Sequence, residues 1–185
     1  QAARYLIDGV VPEQAGNDHP FATPMGRFAS SDGFFNIGVS GTLQFRSLCE
    51  LIGRMDLRDE PRYQTNPERL VDRAMLNDIF AAEFIKHPTD YWVKLLNDAG
   101  VPCGPIYNMQ QVFEDPQVQH LGIATPVHHP KRGDVRVVSQ PIKLSRTPAS
   151  VTQTQPELGA QNHEVLKSLG YSDAQITEFQ QLKVI

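Results

Sequence analysis

Positive charge is in short supply: 17 lysines and arginines stand against 21 aspartates and glutamates, a net charge of −4. Without a basic excess there is no field to hold a phosphate backbone, so nucleic acid is not an expected partner. No apolar run approaches the roughly 18 residues that a spanning helix needs. The first residues also lack the charged-then-apolar order of an export signal, so no membrane partner is expected and the chain reads as cytoplasmic. Cysteine is nearly absent. Cys49 and Cys103 are far apart and form no CxxC pair, which fits a reducing compartment better than a disulfide framework. His128 and His129 are adjacent, and a strand would point them to opposite faces, so they cannot share a metal and read as surface histidines beside a turn. The chain opens on Gln1 rather than methionine, inside a helical pattern of Arg4, Tyr5, Leu6 and Ile7, and is read as a piece of something longer.

What is present is organised around residues 91 to 119. Tyr91, Trp92, Leu95 and Leu96 recur at helical spacing, with Gly100 able to close that helix in the left-handed conformation. Val101 to Tyr107 carries Pro102 and Pro105, which fix their own φ and push their predecessors extended, so an extended crossing is expected. Asn108 with Gln111, and Asp115 followed by Pro116, then signal two short helices. Upstream, Gly16 to Pro24 is a polar, turn-rich loop, open to reading as linker or site. Asp32-Gly33 marks a hairpin joining strands at Phe28 and Phe34 to Val39. Thr42 is the expected N-cap of a helix with Leu43, Leu48, Leu51 and Ile52 on its apolar face, closed by Gly53. Asp59 to Asn66 reads as a polar connection. Asn66-Pro67 then opens the longest helix, about five turns, with Leu70, Val71, Met75, Ile79, Phe80 and Phe84 inward. Beyond the crossing, Ile123 to His129 and Asp134 to Val138 flank a hairpin turn, and Arg146 to Leu158 reads as an extended linker. Asn162, and Ser172 with Gln175, cap two tail helices. The expected class is α+β: a small domain of antiparallel hairpins and amphipathic helices, plus a C-terminal helical tail.

Ala99-Gly100-Val101-Pro102-Cys103-Gly104-Pro105-Ile106, then Val112 and Asp115-Pro116-Gln117, closely resemble a segment of the class III CoA-transferases. That family includes formyl-CoA transferase, carnitine CoA-transferase and α-methylacyl-CoA racemase. Further pieces follow in the family's order: Asp32-Gly33-Phe34-Phe35-Asn36-Ile37, Leu48 to Gly53, Asn66 to Arg69, His129 to Gly133, Pro141 to Ser145, Pro156 to Gly159 and Val165 to Tyr171. Each is weak alone, and their succession is specific.

The resemblance implies three parts: residues 1–15, the end of a helix leading in from a larger domain; 16–145, the small α+β domain; and 146–185, an extended linker and helical tail. The larger domain would supply the aspartate nucleophile and most coenzyme A contacts. No catalytic residue is therefore expected in this chain, and no cofactor beyond the coenzyme A thioester as substrate. The implied partners are an acyl-CoA and a carboxylic acid, within a homodimer. Gly16, Asn17, His19, Phe21 and Ala22 occupy the place of a loop covering the active site, glycine-rich in the formyl-CoA enzymes and not so here. Asn17 and His19 are the candidates to line the pocket; without the resemblance they are an ordinary polar turn. Cys103 reads as structural, Trp92 with Phe80 and Phe84 as core, and Lys131-Arg132 as a solvated hairpin tip rather than a phosphate contact. Acyl-CoA racemisation, and a non-catalytic binding or dimerisation module, are the alternatives to CoA transfer.

Overall fold

The computed structural model describes residues 1–185. The chain divides into two compact units, Gln1–Tyr107 and Asn108–Ile185. In the first, helix α1 (Ala2–Asp8) has no buried residue, and a loop leads from it to strands β1 (Met25–Ala29) and β2 (Phe34–Gly38). These pair antiparallel with Phe28 opposite Phe35. The expected crossing is a third strand, β3 (Cys103–Pro105), which pairs antiparallel with β2. Between β2 and β3 come α2 (Thr42–Leu51), α3 (Met55–Asp59), a 3₁₀ turn Pro61–Tyr63, α4 (Asn66–Val71), α5 (Arg73–Phe84) and α6 (Thr89–Asp98).

One sheet face and the helices share a core, and Phe84 sits at its centre. Its ring meets those of Phe35, Phe28 and Trp92 edge-on at 5.0, 5.1 and 5.1 Å. Trp92 satisfies its indole N–H by donating to the Phe84 carbonyl (2.7 Å), which ties α6 to the end of α5. Gly100 takes φ +74° and ends α6, as its position predicts. A longer-range contact starts that helix. Asp32, in the β1–β2 turn, accepts from the Thr89 N–H (2.8 Å) and the Ser30 hydroxyl (3.0 Å). These bonds, the Thr89 N–H first, hold the Asp32 carboxyl below its ordinary value.

Several expectations are corrected. Gly41, extended at φ −107°, is the N-cap of α2; the Thr42 hydroxyl instead donates to the Gln64 carbonyl. Leu43 is exposed, and Phe45, Leu48 and Cys49 form the buried face. The supposed polar connection contains Tyr63, fully buried, with its hydroxyl donating to Asp72 (3.0 Å). That engagement coincides with a break: the five-turn helix is two helices of 6 and 12 residues, separated at Asp72 (φ −104°, ψ 22°). Thr65 caps the first through a box with Glu68. Val71 and Met75 are exposed, while Leu76 and the guanidinium of Arg69 are buried.

In the second unit, α7 (Met109–Glu114) and α8 (Pro116–Leu121) start at the expected caps, with Asn108 accepting from Gln111 and Asp115 from Gln117 and Val118. Strands β4 (Ala124–His129) and β5 (Gly133–Val138) form the second hairpin. Residues 139–161 lack helix and strand. Helices α9 (Asn162–Ser168) and α10 (Asp173–Gln181) follow, with Gln161 rather than Asn162 as the first N-cap and the Ser172–Gln175 box intact. The unit buries only Val127 and Ile176 among its large apolar side chains, and Val165, Leu169 and Leu182 are exposed.

Trp92 is 3% exposed, so Trp92→Ala is expected to destabilise the first unit by about 3–5 kcal/mol, read as a lowered urea midpoint. Asp32 gives a pH signature. A depressed carboxyl stabilises the fold above its unfolded value of 3.8 and loses that contribution as pH falls through the lower folded value. The stability gap between wild type and Asp32→Asn should therefore be larger at about pH 6 than at about pH 2; a constant gap in denaturant titrations would contradict the contact.

Candidate functional site

The loop between α1 and β1 is built by its backbone. Gly16 takes φ +61°, and the Asp18 N–H closes the turn onto the Ala15 carbonyl (3.0 Å). The chain then runs back along β1: Asp18 bridges Gly26, and the His19 N–H donates to the Met25 carbonyl (3.0 Å). The approach is close enough to require glycine at 26. That residue has φ +153°, and a Cβ there would lie 2.3 Å from the Asn17 carbonyl oxygen.

Asn17 and His19 are exposed, Phe21 is 47% exposed, and Ala22 is buried. The structure therefore gathers Gly16, Asn17, His19 and Phe21 on one exposed loop, while Ala22 anchors it. His19 Nδ1 accepts from the Phe21 N–H (3.2 Å), which leaves Nε2 as the ring nitrogen free to donate. The Phe21 ring meets His19 edge-on and carries the Arg4 guanidinium 5.1 Å from its centroid. Such a loop offers one imidazole donor to an oxyanion, its Asp18, His19 and Phe21 amides being engaged within the fold, and it contains no nucleophile–base pair. Nor do three His, Cys, Asp or Glu side chains converge anywhere in a metal-binding group.

Sequence reasoning missed the residues that hold the loop. Arg69 Nε donates to the Thr23 carbonyl (3.0 Å). Arg73 Nη2 donates to the carbonyls of His19 (2.9 Å) and Pro20 (3.2 Å). Asn77 donates to Asp18 Oδ1 and accepts from the Thr23 hydroxyl, both at 3.3 Å. A signal existed: polar residues at 69, 73 and 77 repeat every fourth position, the spacing of one helical stripe, although the break at Asp72 puts Arg69 on α4 and the other two on α5. Arg73 and Pro20 also line a cleft of about 270 Å³ with Arg4, Glu13 and Gln14.

The other singled-out residues are elsewhere. Cys103 donates its thiol to the Val93 carbonyl (3.5 Å) and is pushed up by burial; Cys49, also buried, is pushed up to about 12. Neither is a thiolate nucleophile at neutral pH. The two histidines do face opposite ways, but only His128 is at the surface, paired with Asp134 (2.9 Å). His129 is buried, because its Nδ1 accepts from the N–H groups of Lys131 and Arg132 and closes the β4–β5 turn. Arg132 and Arg136 line a separate cleft of about 390 Å³ with residues 154–158.

A mixed α+β chain with this sheet topology superposes on a CAIB/BAIF family protein from Brucella suis with a TM-score of 0.75 and 30% identity, over 91% of this chain and 43% of that one. The chain belongs to CoA-transferase family III, whose pattern matches residues 1–162. It is 33% identical to human succinyl-CoA:glutarate CoA-transferase, over 96% of this chain and 41% of that protein. It is also 34% identical to formyl-CoA:oxalate CoA-transferase of Rhodopseudomonas palustris, over 89% and 40%. The chain thus spans about two fifths of the length of these curated relatives.

Gly26→Ala should release the loop from β1 and cost about 2–3 kcal/mol, with faster amide exchange at His19. Gly104→Ala meets nothing within 4 Å and no left-handed φ, so its effect should stay within about 0.5 kcal/mol.

Proposed function

We propose that this chain is the C-terminal part of an acyl-CoA:carboxylate CoA-transferase. It supplies the small domain and the returning tail, while a preceding larger domain supplies an aspartate nucleophile. In that reading residues 1–15 lead in from the larger domain, 16–145 form the small domain and 146–185 return to it. The observation that carries it is the family match over residues 1–162. The relatives' names favour transfer over racemisation, since they pair an acyl-CoA with a free acid, glutarate or oxalate.

The chemistry begins with attack of the aspartate carboxylate on the thioester carbonyl. The C–S bond breaks, and an acyl-aspartyl anhydride and a CoA thiolate result. Water would hydrolyse that anhydride, so the Gly16–Ala22 loop has a use as a cover, with Asn17, His19 and Phe21 on its exposed surface. With Nδ1 engaged by the Phe21 N–H, His19 keeps Nε2 to donate to an oxyanion. The tail supports assembly into a homodimer: a unit with two buried large apolar side chains is thin for independent stability, and its exposed Val165, Leu169 and Leu182 gain by burial against other surface. The two unpaired cysteines accord with a cytoplasmic setting.

The full-length protein is expected to exchange CoA between an acyl-CoA and a free carboxylic acid and to sediment as a dimer. The isolated 185-residue chain should bring no turnover, because in this reading the aspartate nucleophile and most coenzyme A contacts belong to the preceding larger domain. Acyl-CoA turnover by that chain alone would overturn the division of labour.

A further inference from the structure

The loop from Asp18 to Thr23 is gripped by Arg69 near the end of α4 and by Arg73 and Asn77 on α5, and the three residues are not equivalent. Arg69 is fully buried with each nitrogen donating to an acceptor, which is the signature of a structural group. Arg73 differs. One nitrogen, Nη2, holds two successive carbonyls, those of His19 and Pro20, while Nε is buried with no acceptor. A buried guanidinium N–H without an acceptor costs stability, so the fold gains less from Arg73 than its geometry allows. Asn77, one turn further along, is bonded at both ends of its amide, to Asp18 and to Thr23.

Both residues hold the loop without belonging to its exposed surface. Arg73 binds main-chain carbonyls, so its grip does not depend on which side chains the loop displays. Asn77 spans from the start of the run at Asp18 to its end at Thr23, and so fixes the distance across which Arg73 acts.

We propose that Arg73 and Asn77 are positioning residues for the transfer reaction: they set the backbone of residues 18–21 at the height from which the loop excludes water from the acyl-enzyme. This rests on the reading of Gly16–Ala22 as the cover. In productive transfer the anhydride is consumed within the site and CoA is passed to the acceptor acid. In the leak, water adds to the anhydride's acyl carbonyl and the C–O bond to the aspartate breaks; the free acid leaves, the aspartate carboxylate is regenerated on the enzyme, and the CoA thiolate takes up the proton released and departs as the thiol, so that acyl-CoA is hydrolysed overall. A loosened loop shifts the partition toward the leak.

The test uses the full-length protein with Arg73→Lys, which keeps the charge and loses the planar fork, and Asn77→Ala. Amide exchange at residues 18–22 and the ratio of acyl-CoA hydrolysis to CoA transfer are measured together. Both variants are expected to speed exchange and to raise the ratio about tenfold, with KM for acyl-CoA within about threefold of wild type. The double variant Asn17→Ala/His19→Ala probes the cover directly. If it raises the ratio and the other two variants do not, the positioning role is overturned and the cover stands. If all three leave the ratio unchanged while exchange accelerates, the cover reading falls and takes the proposal with it. Unchanged exchange in Arg73→Lys and Asn77→Ala overturns the clamp itself.

Discussion

Arg69 is a charge buried without a counter-ion, and the first unit is assembled around it. Its guanidinium reaches the carbonyls of Thr23 (3.0 Å) and Tyr63 (2.8 Å) and the side chain of Asn66 (2.7 Å), and lies 4.6 Å from the centroid of Phe45. Four segments meet there: the loop, the 3₁₀ turn, the start of α4 and the face of α2. Burial disfavours its charged form, but a guanidinium is weakly hydrated and spreads its charge over donors that match these acceptors. A lysine has no fork with which to join three directions at once. The aromatic rings around Phe84 form the centre of the apolar core, and Arg69 ties the irregular segments together beside it.

The sequence made local devices legible. The Asp32-Gly33 hairpin, the boxes at Asn108 and Ser172, the proline after Asp115 and the terminating Gly100 are each specified within a few residues, and each is where its chemistry requires. Errors arose wherever a partner distant in sequence decided the matter. Thr42 looks like a cap until the carbonyl of Gln64 claims its hydroxyl. Tyr63 lies in a polar run, yet its ring is wanted by Phe45 and its hydroxyl by Asp72. Helical periodicity passes through position 72 without interruption, because it cannot register that Asp72 is engaged elsewhere. Val71, expected inward, is exposed while Arg69 is buried, and the acceptors that allow Arg69 to be buried come from residues 23, 63 and 66.

The candidate site was legible in a different way. Nothing in the spacing of Gly16, Asn17, His19, Phe21 and Ala22 separates them from an ordinary turn; the family resemblance drew attention to them. The structure adds the division within the set, four residues displayed and Ala22 buried, and the reason Gly26 is glycine. It also adds Arg73 and Asn77, whose spacing was visible while their target was not. A residue that grips a backbone carbonyl leaves no mark at the residue it grips.

The strand order has a consequence for synthesis. The β1–β2 hairpin is complete once Gly38 has been made, but the strand that covers its open edge begins at Cys103. At ribosomal rates of about 5–20 residues per second, the 64 residues between them take roughly 3–13 s. Throughout that interval two strands have an unpaired edge and an apolar face bearing Phe28, Phe35 and Ile37, and an isolated hairpin is marginal in water. Nascent chains of this protein therefore present a sticky intermediate whose lifetime is set by translation speed, so slow codons between positions 38 and 103 would prolong the exposure and increase the demand on chaperones.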